Sequence, residues 1–133
     1  MTDLIEVKTA DLTGAALDWV VAQVEAVPVA IAAPHYGTDW RVYKPDFGGK
    51  YSPSTDWAVG GPLIAKFQVA LIPEAHDGME GTEMSERWYA DVYYDGGEQY
   101  TTEHCDTALI AACRAIVATK FGDSVQVPKE LLP

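Results

Sequence analysis

Two cysteines, three histidines and nine basic side chains in 133 residues leave this chain poor in the groups that most often carry chemistry or grip polyanions. Cys105 and Cys113 fall on one predicted helix or its cap, about 12 Å apart along an axis that rises ~1.5 Å per residue. A disulfide needs Cα atoms within about 7 Å, so both are expected as free thiols in a reducing compartment. His35, His76, His104 and the cysteines offer no pair at i, i+4 or Cys-x-x-Cys spacing, so neither a metal nor a cofactor is expected. The nearest approach to a ligand set is Glu103-His104-Cys105, which reads more simply as a strand end.

Other absences narrow the field further. There is no Gly-x-Ser-x-Gly, no Walker phosphate loop and no dinucleotide fingerprint; Gly48, Gly49, Gly60 and Gly61 do not follow a strand at the required spacing. No apolar run approaches the roughly 18 residues that cross a membrane, and the start MTDLIEVKTADL lacks the basic and apolar regions of a signal peptide, so the protein is expected to stay where it is made.

Acids, by contrast, are abundant and unevenly placed. The formal net charge is -11. Residues 67 to 106 hold ten acids and one base, against eight acids and five bases before them and two acids and three bases after. A surface of that sign repels phosphate backbones, which argues against direct nucleic-acid binding and fits a solvated acidic face. With 48% apolar and 11% aromatic residues the chain can bury a core, and its length suits one domain over residues 1–133.

Periodicity predicts an α+β fold. Leu12, Ala16, Trp19, Val20, Val24 and Val27 recur at helical spacing, giving a helix over 12–27 capped by Thr9 or Thr13 and stopped by Pro28. Short strands are expected at Val29 to Ala32 and Trp40 to Tyr43. A short helix is placed with Pro62 at its first position. Alternation predicts strands at 67–72, 87–94 and 98–104, with Asp95-Gly96-Gly97 turning the last two into a hairpin and an exposed acidic loop over 73–86. Asp106 is read as the cap of a final helix over 107–121, whose stripe is Leu109, Ala112, Cys113, Ile116 and Val117 and whose stop is Gly122; Val125 and Val127 add an edge strand. Together these predict an antiparallel sheet of three or more strands packed with two main amphipathic helices, in a sandwich-like arrangement. Should one sheet face lie uncovered, Tyr89, Tyr93, Tyr94 and Tyr100 would form an interface; a homo-oligomer is a separate expectation, tied to no particular surface.

One segment is too polar for core and too aromatic for a linker: Tyr51-Ser52-Pro53-Ser54-Thr55-Asp56-Trp57, followed by Gly60-Gly61-Pro62. Its ordinary reading is a helix cap with Trp57 anchoring a loop. Its functional reading is a small-molecule pocket in which Tyr51 or Trp57 stacks on a planar ring, Ser54 and Thr55 donate hydrogen bonds, Asp56 accepts or caps, and Gly61 lets backbone amides approach. Lys50 and Lys66 bracket the segment and would supply positive charge.

Thr9 through Trp19, Tyr51 through Trp57 with Gly60-Gly61-Pro62, Leu109 through Arg114, and Lys120 through Asp123 together resemble the phage NinX-like family of small phage and prophage proteins of unassigned function. The resemblance spans most of the chain in the same order but leaves out the acidic loop. It implies the host cytoplasm, and it transfers only the position of the central motif. Three functions follow as expectations. The first is a non-enzymatic accessory protein that binds a small polar ligand, such as a nucleotide signal of host defence. The second is an acidic inhibitor that imitates DNA and occupies a host nuclease or restriction factor. The third, a hydrolase using Asp56, has least support because no base or nucleophile is paired with it.

Overall fold

The computed structural model describes residues 3–34, 39–46, 49–75, 84–94 and 96–132. The chain is built around α3 (Ala108–Phe121), a helix whose alanines, Leu109, Cys113, Ile116 and Val117 are buried on nearly every face. Sequence periodicity predicts only a single apolar stripe on this helix. A helix that is apolar around most of its circumference needs cover on several sides. The antiparallel sheet β4 (Ala70–Ala75), β5 (Met84–Tyr94) and β6 (Glu98–Thr101) packs against it, as do α1 (Gly14–Val24) and α2 (Trp57–Phe67). The fold is therefore α+β, as expected. The expectation that the first and last helices both lie on the sheet is corrected: α1 packs mainly on α3, and also on β3 and β7.

Helix boundaries follow local chemistry. Thr13 precedes α1 as its N-cap residue, and Leu12 lies outside the helix in an extended conformation. The cap of α3 is Thr107 rather than Asp106; its side chain accepts from the Ile110 N–H at 3.1 Å. Gly122, with φ 74°, ends that helix in a region L-residues avoid.

The largest correction concerns α2. It begins at Trp57, and Pro62 lies inside it instead of starting it. Asp56 makes this possible by accepting from the Ala58 N–H at 2.9 Å. Pro62 has no N–H to give the carbonyl four residues earlier, but both Pro62 and Ala58 are exposed, so water can take that place. The helix then runs through Phe67 and closes at Gln68, which adopts a left-handed conformation (φ 54°). The strand predicted at 67–72 accordingly starts only at Ala70, because the helix claims its first residues.

The expected acidic loop is shorter than 73–86. Pro73 pairs with Trp88 and Ala75 with Met84 across an irregular register, and Pro73 is tolerated because β4 is an edge strand. The segment 76–83 between them lies outside the described residues. After β6 the return continues irregularly, with Thr102 bonding to Ala90 and Cys105 forming a bridge to Trp88. Tyr93 is the most exposed of the sheet tyrosines at 64%, while Tyr89, Tyr94 and Tyr100 are half-buried.

Two smaller ladders complete the fold. The predicted short strands pair as β2 (Ala30–Ala32) and β3 (Arg41–Tyr43). The predicted edge strand, β7 (Ser124–Pro128), pairs antiparallel with β1 (Leu4–Lys8), which the sequence reading did not assign. Thr9 is pinned beside them, its hydroxyl donating to the Gly122 carbonyl at 2.6 Å.

The two adjacent glycines of α2 make a test of this packing. A Cβ at Gly60 would strike the Pro53 carbonyl oxygen and sit 2.8 Å from Leu109 Cδ2, whereas one at Gly61 would meet open space. Gly60→Ala should destabilise the domain by about 1–3 kcal/mol or more through overpacking. Gly61→Ala should stabilise it by ~0.5–1 kcal/mol, the helical preference of alanine over glycine. Urea denaturation of both variants checks the pair; equal effects would mean α2 does not press on residue 53.

Candidate functional site

The 51–57 segment enters from the β2–β3 hairpin, where Tyr51 donates its N–H to the Val42 carbonyl at 2.9 Å. It turns at Ser52, whose carbonyl accepts from Thr55 at 3.2 Å and Asp56 at 2.9 Å, and then feeds α2. The turn divides the segment. Tyr51, Ser52, Pro53 and Ser54 are buried, whereas Thr55, Asp56 and Trp57 are exposed, Trp57 at 57%.

What holds the buried half is Asp18, which falls inside the predicted helix and is not among the expected site residues. Its Oδ1 accepts the buried Ser54 N–H at 2.9 Å, so α1 and the segment are joined through the core. The available signal was its position in Leu17-Asp18-Trp19-Val20-Val21, a lone acid inside an apolar run. Burial raises the Asp18 carboxyl above the usual carboxylate range, opposed by the Ser54 hydroxyl and N–H and by the charge of Lys50. The Ser54 hydroxyl lies near enough to favour the anion yet makes no well-formed hydrogen bond of its own.

The surrounding groups are chemically quiet. Burial, with smaller contributions from Glu25, Cys113 and Asp18, pushes the Tyr51 phenol up to about 12. Burial, then Asp18, pushes the Cys113 thiol up as well, so at neutral pH it is a protonated, poor nucleophile. Both cysteines are buried free thiols. Among the described residues no group of three or more His, Cys, Asp or Glu is placed to hold a metal; His35 and His76 lie outside them.

The exposed half opens onto a pocket of about 430 Å³, within the size range of small-molecule sites. Ser54, Thr55 and Trp57 form one wall; Trp88 of β5 and residues 106–110 at the start of α3 form the rest. Of the residues expected to act together, these three are brought together and the others are not. Tyr51 is buried, with the Lys44 ammonium 5.6 Å from its ring centroid. Asp56 is the α2 cap. Gly61 faces open space on the helix. Lys66 pairs with Glu25 at 2.7 Å, and Lys50 serves Asp18. Trp88, Asp106, Thr107 and Leu109 are the wall residues that sequence reasoning assigned to sheet, cap and core. Nothing in their spacing signals that α3 brings its first turn alongside residue 57.

A family model described as Bacteriophage P22, NinX matches residues 8–120. The chain belongs to the NinX family. A search of curated proteins finds no match. The region shared with NinX includes Asp18, the whole 51–57 segment, Trp88 and the start of α3, so every wall of the pocket lies within it. Among the described residues no helix is long and apolar enough to cross a membrane.

The Asp18 link predicts a pH signature. Because the folded-state pKa is raised, the native protein holds that proton more tightly than the unfolded chain does. Stability contributed at Asp18 is then full below the unfolded value of about 3.9 and is lost as pH rises through the raised folded value. Asp18→Asn keeps an acceptor for the Ser54 N–H and removes the ionisation, so its stability relative to the native protein should increase from pH ~4 upward. Asp18→Ala should cost about 1–3 kcal/mol by leaving that N–H buried without an acceptor. Denaturant melts at several pH values measure both; a relative stability of Asp18→Asn that declines with pH would show that the native fold favours the anion.

Proposed function

We propose that this NinX-family protein is a non-enzymatic phage accessory protein that binds a small polar ligand with a planar ring, working in the host cytoplasm. The observation that carries the reading is Trp57, 57% exposed at the edge of a 430 Å³ pocket that also holds Trp88. Tryptophan has the largest apolar face of any side chain and gains from stacking on a flat partner. Hydroxyls of Thr55 and Thr107 sit beside it to orient polar groups on a guest. Thr107 accepts from Ile110 and keeps its O–H as a donor. The hydrolase reading loses the residue it rested on, since Asp56 is spent on the α2 cap. Sequestration of a nucleotide signal of host defence is the form of binding that joins a ring to polar groups.

The rival reading, an acidic protein that occupies a host nuclease, rests on the net charge of -11. Its carboxylates at Asp77, Glu80 and Glu83 lie outside the described residues. Glu74 is half-buried and 3.4 Å from the His104 imidazole. Capture of a nuclease that moderate salt releases would favour it over ligand binding.

Calorimetric titration with adenosine and guanosine tests the proposal. At least one nucleoside should bind, and Trp57→Ala should weaken it about tenfold or more, equivalent to ~1.4 kcal/mol, with the melting temperature within a few degrees of the native protein. Failure of both nucleosides to bind at millimolar concentration, or an affinity indifferent to Trp57→Ala, would reject it.

A further inference from the structure

Beside the aromatic pocket lies a second, polar one of about 230 Å³, and the two share Asp106 and Ile110. They are consecutive stretches of one groove passing over the start of α3. We infer that the second stretch seats a single phosphate group, so that the ligand is a nucleoside carrying one phosphate. The inference rests on the ring-binding reading above and adds residues to it.

Three observations carry it. First, the chain has only three arginines, and two of them, Arg87 and Arg114, line this one small compartment of an acidic protein. Guanidinium groups match phosphate oxygens in geometry and charge, and a pair converging on one cavity is a phosphate-binding arrangement. Second, Arg114 is preset. Its Nε–H donates to the Leu12 carbonyl at 2.8 Å and its Nη1 to Cys105 Sγ at 3.2 Å. These use two of the five donors a guanidinium has, and the side chain is anchored without being exhausted. Arg87 is positioned by a bond from Nη2 to the His104 carbonyl at 2.7 Å.

Third, the two linings divide the chemistry as a nucleotide does. Both indoles line the first pocket, where a base would stack. Asp106 lines both pockets and offers a carboxylate to sugar hydroxyls. The two guanidiniums line only the second. The charges also set an upper limit. Glu103 and Asp106 line the polar compartment along with the arginines, so its formal charge is zero before a guest arrives; guanidinium hydrogen-bond geometry rather than excess charge would hold one phosphate, and the carboxylates, with the net charge of -11, repel the accumulated charge of a triphosphate.

The experiment compares adenosine and guanosine with their 5′-monophosphates and triphosphates, and with inorganic phosphate, by calorimetry at low and moderate salt. The monophosphate of the nucleoside that binds should be held about tenfold or more tightly than the nucleoside, with the advantage shrinking as salt rises. The triphosphate should bind no better than the monophosphate. Arg87→Gln should reduce the monophosphate to the affinity of the nucleoside while leaving nucleoside binding unchanged. Arg87 is the variant of choice because Arg114 also holds Leu12; unchanged thermal melting shows that Arg87→Gln is folded. Equal affinity for nucleoside and monophosphate, or an advantage that survives Arg87→Gln, overturns the inference. If the nucleoside binds and depends on Trp57 while the phosphate adds nothing, this inference falls and the ring-binding reading stands; if neither binds, both fall.

Discussion

Near-total burial of α3 is the constraint from which the rest of the structure follows. An 11- or 14-residue helix in a domain this small usually presents one face to the core, but α3 has almost no polar face to give to water. Each of its buried Leu, Ile and Val side chains contributes roughly 1.5–3 kcal/mol only when fully covered. The sheet therefore takes one side, and α1 and α2 take others. Alanines at 108, 111, 112, 115 and 118 let those neighbours come close, and the glycine at 60 lets the turn at Pro53 come closer still.

The same centring explains why the groove lies where it does. A central helix ends somewhere, and its first turn must emerge between the elements that surround it. Here it emerges between the start of α2, with Trp57, and strand β5, with Arg87 and Trp88. Residues on three elements thus meet at the capped end of a rigid helix, a support that holds side chains more firmly than a loop does. Thr107 satisfies the Ile110 amide at this end, so the helix start is stable before any guest arrives.

Asp18 connects this surface to the interior. A carboxyl 4% exposed is costly unless hydrogen-bonded, and here it secures the backbone at Ser54, one residue before the exposed half of the segment begins. The polar richness of residues 51–57 therefore has two causes. Tyr51 through Ser54 are buried, with Ser54 held by Asp18, Asp56 caps the helix, and Thr55 and Trp57 remain on the surface. A sequence stretch with more polar groups than one role requires turns out to serve two structural roles and to leave a small remainder facing solvent.

The sequence by itself determined the α+β class, the hairpin at Gly96-Gly97, the stop at Gly122, the short strands β2, β3 and β7, and the family, because these depend on local periodicity, turn chemistry or a distinctive linear pattern. It drew attention to residues 51–57 through composition alone. Only the tertiary structure decided that Pro62 sits within a helix, since that outcome depends on Asp56 capping six residues earlier and on solvent reaching Ala58. Only it paired Leu4–Lys8 with Ser124–Pro128, because an edge strand so exposed has no periodic signature until its partner from the far end of the chain arrives. And only it brought Trp88, Asp106 and the two arginines to Trp57, since contacts between residues 30 or more apart arise from how helices and sheet pack, which the order of side chains along the chain does not record.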